Sequence, residues 1–165
     1  MVERITSMEH IINSQNDGID FVKYAAYVES IRDRLPEHIY SFASDSRYFD
    51  LSSHSSLHDA WLESLTVREA ATGPRSEIRK LEIHICLLGP FQDRRIHLRY
   101  IGVVRYGCNA SAHEGDQIAH GDLFAHEIRV SEGGTLIHEL LFQRATLLIE
   151  CGDIRHLEEM INAEQ

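Results

Sequence analysis

The amino-acid sequence predicts an α+β fold in which N-terminal helices pack against a mainly antiparallel β-sheet or a small β-sandwich. Apolar residues recur at spacings of three and four in the first third of the chain, whereas apolar and polar residues alternate in most segments after residue 46. Short turns between successive alternating segments favour antiparallel hairpins. We therefore expect a single domain over residues 1–165, with a helical part at 1–45, an antiparallel β part at 46–152 and a short C-terminal helix at 153–163.

The helical part is predicted to contain two helices. A turn at Asn16-Asp17-Gly18 leads to Asp20, a residue type that favours the start of a helix. The apolar face of the first helix is formed by Phe21, Tyr24, Val28, Ile31 and Leu35. Pro36 ends this helix and can open a second one through Ile39 and Phe42, because proline lacks a backbone N–H but fits the first turn of a helix.

Three strands are predicted near the two ends of the β part. Residues 48–51 are predicted to form a short strand, and residues 146–151 a last strand. A longer strand is expected at 57–67, and the apolar side chains that share one of its faces are Leu57, Trp61, Leu65 and Val67.

The first predicted hairpin has the clearest alternation in the chain, over residues 78–88. A turn at 89–93 follows, so residues 96–106 are expected to form the return strand. Gly102 within that strand indicates a bulge or a close approach of two backbones.

A second hairpin is predicted around Glu132-Gly133-Gly134, a three-residue loop that ends in a glycine bulge. The apolar faces of its strands match when the cross-strand pairs are Phe124–Phe142, His126–Leu140, Ile128–His138 and Val130–Leu136. This register places His126 and His138 on the same face as diagonal neighbours, roughly 6 to 8 Å apart at Cβ.

Histidine is abundant, with 11 in 165 residues. Three histidines directly precede a carboxylate, in the dipeptides His58-Asp59, His126-Glu127 and His138-Glu139. Neighbouring residues of a strand point to opposite faces of the sheet, so these dipeptides are not expected to act as local His–carboxylate dyads.

Two interpretations of the histidine pair remain open. His126 and His138 could bind one metal ion, with a third ligand from His58, or from His113 or His120 in the long loop at 107–121. Zinc is then the expected metal, because imidazole suits it. The other interpretation is that the pair packs in the core, since the sequence contains no HExxH or HxH motif.

The charge balance bears on the partners of the chain. Sixteen basic and 26 acidic residues give a formal charge of −10, which repels a phosphate backbone and would attract a basic protein. We therefore expect the chain to bind a basic protein partner and not to bind nucleic acid. No apolar run approaches the roughly 18 residues of a membrane span, so no membrane association is expected.

The cysteines, the N-terminus and the missing motifs bear on the cellular location of the protein and on its chemistry. Cys86, Cys108 and Cys151 are scattered and odd in number, and the N-terminus lacks a signal-peptide pattern, so a reducing cytoplasm is expected. The sequence contains no P-loop, no dinucleotide-binding fingerprint and no GxSxG motif. We therefore expect neither a cofactor nor an assembled set of catalytic residues.

Trp61 is the single tryptophan of the chain. We expect it to anchor the core where the helices meet the sheet. If it is exposed instead, Trp61 and the nearby acidic Asp59 become candidate interaction residues, because tryptophan is enriched among residues that dominate protein interfaces.

Two segments carry a resemblance to known proteins. Leu57-His58-Asp59-Ala60 at the opening of a strand, followed by alternating strands and then by the hairpin strand at 136–142, resembles a pattern in small bacterial proteins, some of which look like immunity proteins of polymorphic toxin systems. The similarity covers roughly residues 48–151. It implies a non-enzymatic interaction protein, immunity-like, with an acidic surface that faces the partner. The alternative hypothesis is a histidine-ligated metal-binding protein or metal-dependent enzyme, and a weaker one is a small-ligand binder with its pocket between the helices and the sheet.

Overall fold

The structure, a computed structural model, describes residues 8–13, 18–110 and 119–161. The helices in these ranges are α1 (Phe21–Ser30) and α2 (Glu37–Ser44), with 3₁₀ turns at Arg32–Arg34 and Ser46–Tyr48. The strands are β1 (Ile12–Asn13), β2 (Gly18–Ile19), β3 (Trp61–Thr72), β4 (Ile78–Leu88), β5 (Arg94–Ile101), β6 (Arg105–Ala110), β7 (Leu123–Val130), β8 (Leu136–Phe142), β9 (Ala145–Cys151) and β10 (Asp153–Met160).

The long strands form two four-stranded antiparallel sheets, and β1 pairs with β2 in a short ribbon. We call the sheet with the order β10-β5-β4-β3 the first sheet and the sheet with the order β6-β9-β8-β7 the second sheet. Helices packed on antiparallel sheets confirm the predicted α+β class. Side chains from the helices and from both sheets belong to one buried apolar cluster.

The chain passes between the two sheets at a pair of glycines. Gly102 has a φ of 64° and lies between β5 and β6, so the predicted return strand ends at Ile101 and not at residue 106. The N–H of Gly152, between β9 and β10, donates to the carbonyls of Ile101 and Gly102 at 3.0 and 3.1 Å. The close backbone approach expected at Gly102 is therefore present, and it joins the two sheets.

The two predicted helices are confirmed, with a shorter first helix. The Asp20 side chain accepts a hydrogen bond from the N–H of Lys23 at 2.9 Å and caps α1. The α-helix ends at Ser30, and a 3₁₀ turn at Arg32–Arg34 covers the rest of the predicted helix. The predicted turn at residues 16–17 lies outside the described residues.

The C-terminal helix predicted at residues 153–163 is wrong. Asp153–Met160 is strand β10, and it pairs along the whole length of β5. Leu157 and Met160, whose spacing suggested a helix, are 65% and 58% exposed. An open edge of β5 offers hydrogen-bond partners to every second residue of this segment, and that tertiary pairing overrides the local helical pattern.

Two further predictions are wrong at the start of the β part. The segment predicted as a strand at 48–51 starts at the last residue of the 3₁₀ turn Ser46–Tyr48, which Asp45 caps by accepting from the N–H of Arg47 at 2.9 Å. The strand expected at 57–67 starts only at Trp61. A shift of register between Leu62 and Ser64 then turns Trp61 away from the face that carries Leu65 and Val67.

The register predicted for the second hairpin is confirmed over most of its length. The pairs His126–Leu140, Ile128–His138 and Val130–Leu136 all occur, but an irregularity after Leu123 replaces the expected Phe124–Phe142 pair with Leu123–Phe142. The N–H of Ser131 donates to the carbonyl of Thr135 at 2.8 Å and closes the three-residue loop.

Replacing Gly134 by alanine is expected to lower the free energy of unfolding by about 1 kcal/mol, because an L-residue is strained at positive φ. Gly134 has a φ of 85°, whereas Gly133 does not have a positive φ. Gly133→Ala is therefore the matched control and should change stability little. Urea unfolding of both variants measures the difference, and equal losses would contradict the role of Gly134 in the turn.

All three cysteines are free, with Cys86 and Cys151 buried and Cys108 exposed. In the described ranges, no helix is long and apolar enough to cross a lipid bilayer.

Candidate functional site

The two hairpin histidines lie together in the core. His126 on β7 and His138 on β8 point from the second sheet into the interior and are 1% and 0% exposed. Nδ1 of His126 is 3.1 Å from Nε2 of His138, and Nδ1 of His138 is 2.8 Å from the hydroxyl of Tyr100 on the first sheet. The predicted neighbourhood of His126 and His138 is confirmed, and it extends across the interior to the opposite sheet.

The surroundings of the two rings favour one of two assignments of the ring protons. Tyr100 O–H donates to Nδ1 of His138, and Nε2–H of His138 donates to Nδ1 of His126. Nε2–H of His126 then faces the backbone carbonyl of Tyr48, although without full hydrogen-bond geometry. The reverse assignment would point a lone pair of His126 at that carbonyl, so we assign the first arrangement.

Both imidazoles are neutral in the folded protein. Burial, with a smaller contribution from the neighbouring His156, lowers the pKa of His126 to about 3. Burial also holds the pKa of His138 well below its usual range, with a further contribution from His126. The ring of His126 stacks on Phe49 at 4.5 Å between centroids, so it is packed as an apolar group is.

The third residue of the predicted metal site behaves differently. His58 lies in the loop before β3, and its Nδ1 is 3.0 Å from Oδ1 of Asp59, without hydrogen-bond geometry. Asp59 has a φ of 65°, which turns its side chain back towards the imidazole. The expectation that histidine and carboxylate point apart is therefore confirmed for His126-Glu127 and His138-Glu139, where the residues are in strands, and wrong for His58-Asp59.

The described ranges contain no group of three or more His, Cys, Asp or Glu side chains that could hold a metal ion. His126 and His138 form a pair, whereas His58 contacts Asp59 and the ring of Phe124. His113, one of the alternative third ligands, lies outside the described residues. The packing interpretation is the one that the buried, hydrogen-bonded geometry of the pair favours.

The carboxylates that follow the two histidines form a separate buried cluster on the opposite face of the second sheet. Glu127 and Glu139 are 0% and 1% exposed, and Arg129 lies between them. Nη1 of Arg129 is 2.8 Å from Glu127, and its Nη2 is 3.2 Å from Glu139. Charged groups at this depth are stable only when they are paired, so the three side chains depend on one another.

Glu127 also holds the N-terminal segment on this face. Its carboxylate accepts hydrogen bonds from the backbone N–H groups of Glu9, His10 and Ile11 at 3.0, 2.8 and 2.7 Å. Three donors that converge on one carboxylate fix the path of the chain at residues 9–11. Glu127, Glu139 and Arg129 therefore have a structural role. Their ion pairs, together with the three backbone hydrogen bonds to Glu127, stabilise these charged side chains in the interior.

Trp61 does not anchor the core. It is 50% exposed at the first residue of β3, which is the edge strand of the first sheet. Asp59, two residues earlier, has a side chain that is 59% exposed. The expectation of a core tryptophan is wrong, and the alternative, in which Trp61 and Asp59 contact a partner, stays a prediction.

A cavity of about 510 Å³ lies beside the exposed tryptophan. The residues that line it with Trp61 are Leu62, Ala119, His120, Gly121, Asp122, Gln143 and Arg144. They come from β3, from the segment before β7 and from the β8–β9 turn. No pattern in the sequence indicates that these three segments lie together. His120, one of the alternative metal ligands, belongs to this surface. We call Trp61, Asp59 and the lining of this cavity the Trp61 surface.

No protein-family model matches the chain, and no curated protein is significantly similar to it. The resemblance of residues 48–151 to immunity-like bacterial proteins stays a prediction.

Proposed function

We propose that this chain is a non-enzymatic protein-interaction module that binds a basic protein partner through the Trp61 surface. The half-exposed ring of Trp61 is the observation that carries the proposal. A large aromatic ring that is left in water at the mouth of a cavity gains hydrophobic free energy when a partner covers it. Tryptophan is accordingly among the residues that contribute most to protein interfaces.

The strand that carries Trp61 supports the same surface. β3 has 12 residues and forms the edge of the first sheet, so its outer backbone groups face away from β4. Leu65 and Val67, on the opposite face of β3 from Trp61, are 36% and 41% exposed, so a strand added to this edge would meet apolar side chains on both faces. A long edge strand with exposed apolar side chains can accept an added strand from a partner.

The charge of the chain supports a basic partner. The formal charge is −10, and the Trp61 surface carries two carboxylates, Asp59 and Asp122, against one arginine, Arg144. An acidic surface accelerates association with a basic protein and discriminates against acidic ones. The immunity-like role is the finer form of this proposal, and in it the basic partner is a toxin.

Site-specific photo-cross-linking in the source cells tests the proposal. A photoreactive residue at the exposed position Ser64, three residues after Trp61 on β3, is expected to capture one protein of basic isoelectric point. Trp61→Ala in the same chain should abolish this product, because removal of an interface tryptophan weakens binding by about 30-fold. Leu51→Ala is the matched control, since Leu51 is also a large exposed apolar residue (64%).

The purified partner then gives a direct measurement. Trp61 is the single tryptophan, so its emission should shift to the blue when a tryptophan-free fragment of the partner covers it. A captured protein that is acidic, or a product that persists unchanged in folded Trp61→Ala, would rule out this function.

A further inference from the structure

The outer face of the first sheet, which points away from the core, carries a second cavity of about 700 Å³. All four strands contribute to it. Its charged and imidazole side chains are Arg68 from β3, Glu82 and His84 from β4, His97 and Arg99 from β5, and Arg155 from β10. We call this the arginine–histidine cavity. It lies outside the Trp61 surface, and the two have no lining residue in common.

The charge of this cavity is opposite to that of the chain. Three arginines and one glutamate line it, in a protein of formal charge −10. Glu82 accepts from Arg99 at 2.9 Å and from Arg68 at 3.3 Å, and these bonds hold the pKa of its carboxyl below the usual range. Glu82 thus offsets one of the three guanidinium charges, and Asp153, which pairs with Arg155 from outside the lining, offsets a second, so one positive charge remains in excess among the arginines.

The guanidinium groups retain hydrogen-bonding capacity. Each arginine has five N–H donors, and the bonds to Glu82 use Nη2 of Arg68 and Nη2 of Arg99. Nε of Arg155 contacts Asp153 at 2.6 Å. Guanidinium groups that converge on one concave face are the arrangement that binds phosphate oxygens, because the planar N–H fork matches two of them.

A hydrogen-bonded relay sets the state of the two imidazoles. Nε2 of His97 is 3.0 Å from Oε2 of Glu159, and Nδ1 of His97 is 3.0 Å from Nε2 of His84. A carboxylate only accepts, so Nε2 of His97 carries a proton and its Nδ1 accepts from Nε2–H of His84. Nδ1 of His84 is then left with a lone pair, which can accept the hydroxyl proton of a hydrogen phosphate.

We propose that the arginine–histidine cavity binds the phosphate group of a small organic phosphate monoester. The arginines balance the negative charge, and His84 accepts from the hydroxyl of the singly protonated phosphate, the form that is populated near and below about pH 6. Leu157, which is 65% exposed and also lines the cavity, provides an apolar contact for the organic part of the ligand. This binding site is independent of the proposed partner surface.

Titration of the whole chain with phenyl phosphate, at constant ionic strength, tests the site. NMR signals of the His84 and His97 rings should shift in a saturable manner. Arg99→Gln is expected to weaken this binding about tenfold, because it removes a charge-assisted contact. Arg68→Gln should act in the same direction, and it serves as the second variant if Arg99→Gln does not fold.

Arg79→Gln is the matched control. Arg79 forms a cross-strand ion pair with Glu69 at 3.3 Å, the same distance as Arg68 to Glu82, but it does not line the cavity. This variant loses the same charge and should bind phenyl phosphate as the wild type does. Equal weakening by Arg79→Gln and Arg99→Gln would reveal only a general charge effect and would overturn the site.

Two further ligands separate the sources of the phosphate. Phenol lacks the phosphate and should not bind, and inorganic phosphate should bind more weakly than phenyl phosphate because it lacks the apolar part. Equal binding of inorganic phosphate and phenyl phosphate would overturn the assignment to an organic ligand. The absence of a saturable shift up to roughly 10 mM phenyl phosphate, where even a weak site fills, would overturn the proposal altogether.

Discussion

Lowering the pH from 7 to 5 is expected to reduce the free energy of unfolding by about 4 kcal/mol through His126 and His138 alone. Burial lowers the pKa of both imidazoles in the fold, to about 3 for His126. Unfolded histidine has a pKa of about 6.5, so the unfolded chain binds protons that the fold excludes. The contribution of the two histidines to the free energy of unfolding is complete above about pH 6.5. As the pH decreases below that value, this contribution falls by about 1.4 kcal/mol per pH unit for each histidine.

Urea unfolding between pH 4 and 7 measures this slope. His126→Phe removes one of the two proton sites and keeps a ring against Phe49, so its slope should fall by about 1.4 kcal/mol per pH unit. Ile128→Val is the control, because this fully buried residue of β7 has no proton to bind and its replacement should lower stability equally at every pH. An unchanged slope in His126→Phe would show that other groups take up the protons.

Glu127→Ala is expected to lower the free energy of unfolding by about 4 kcal/mol, since it leaves Arg129 and three backbone N–H groups without this carboxylate. Glu127 is fully buried, and its removal also frees the N-terminal segment from the second sheet. The amide protons of residues 9–11 should then exchange with solvent much faster. Glu127→Gln keeps the shape and should be intermediate, with a loss of about 2 kcal/mol.

Glu69→Ala is the matched control for this effect. Glu69 forms an ion pair with Arg79 at 3.3 Å, but its side chain is 61% exposed. An exposed pair contributes little because water already solvates both charges. Chemical denaturation of the two variants should therefore give a large loss for Glu127→Ala and a small one for Glu69→Ala. Similar losses would mean that burial is not what makes Glu127 important.

Much of the second hairpin was predictable from its own residues. Alternation specifies which side chains share a face, and a loop of three residues ending in glycine specifies the register of the strands that it joins. Those two local rules were enough to place His126 beside His138. The irregularity after Leu123 escaped them, because a bulge depends on packing against the rest of the fold.

The surroundings of that pair were not predictable in the same way. Tyr100, which donates to His138, is 38 residues away along the chain and belongs to the other sheet. The residues of the Trp61 surface come from separate turns, and the arginine–histidine cavity depends on the order of the first sheet. No spacing in the sequence encodes which strand ends lie next to each other.

The sequence by itself determined the α+β class, the two helices, the turn at Gly134 and the separation of the strand histidines from the carboxylates that follow them. These features follow from the helical and strand repeats and from the conformation of single residues, which act over a few positions. Only the tertiary structure decided that residues 153–160 form a strand, that Trp61 faces water and that Glu127 is buried. Each of these outcomes depends on which edge or face a distant segment leaves open, because burial and strand pairing are settled between elements and not within them.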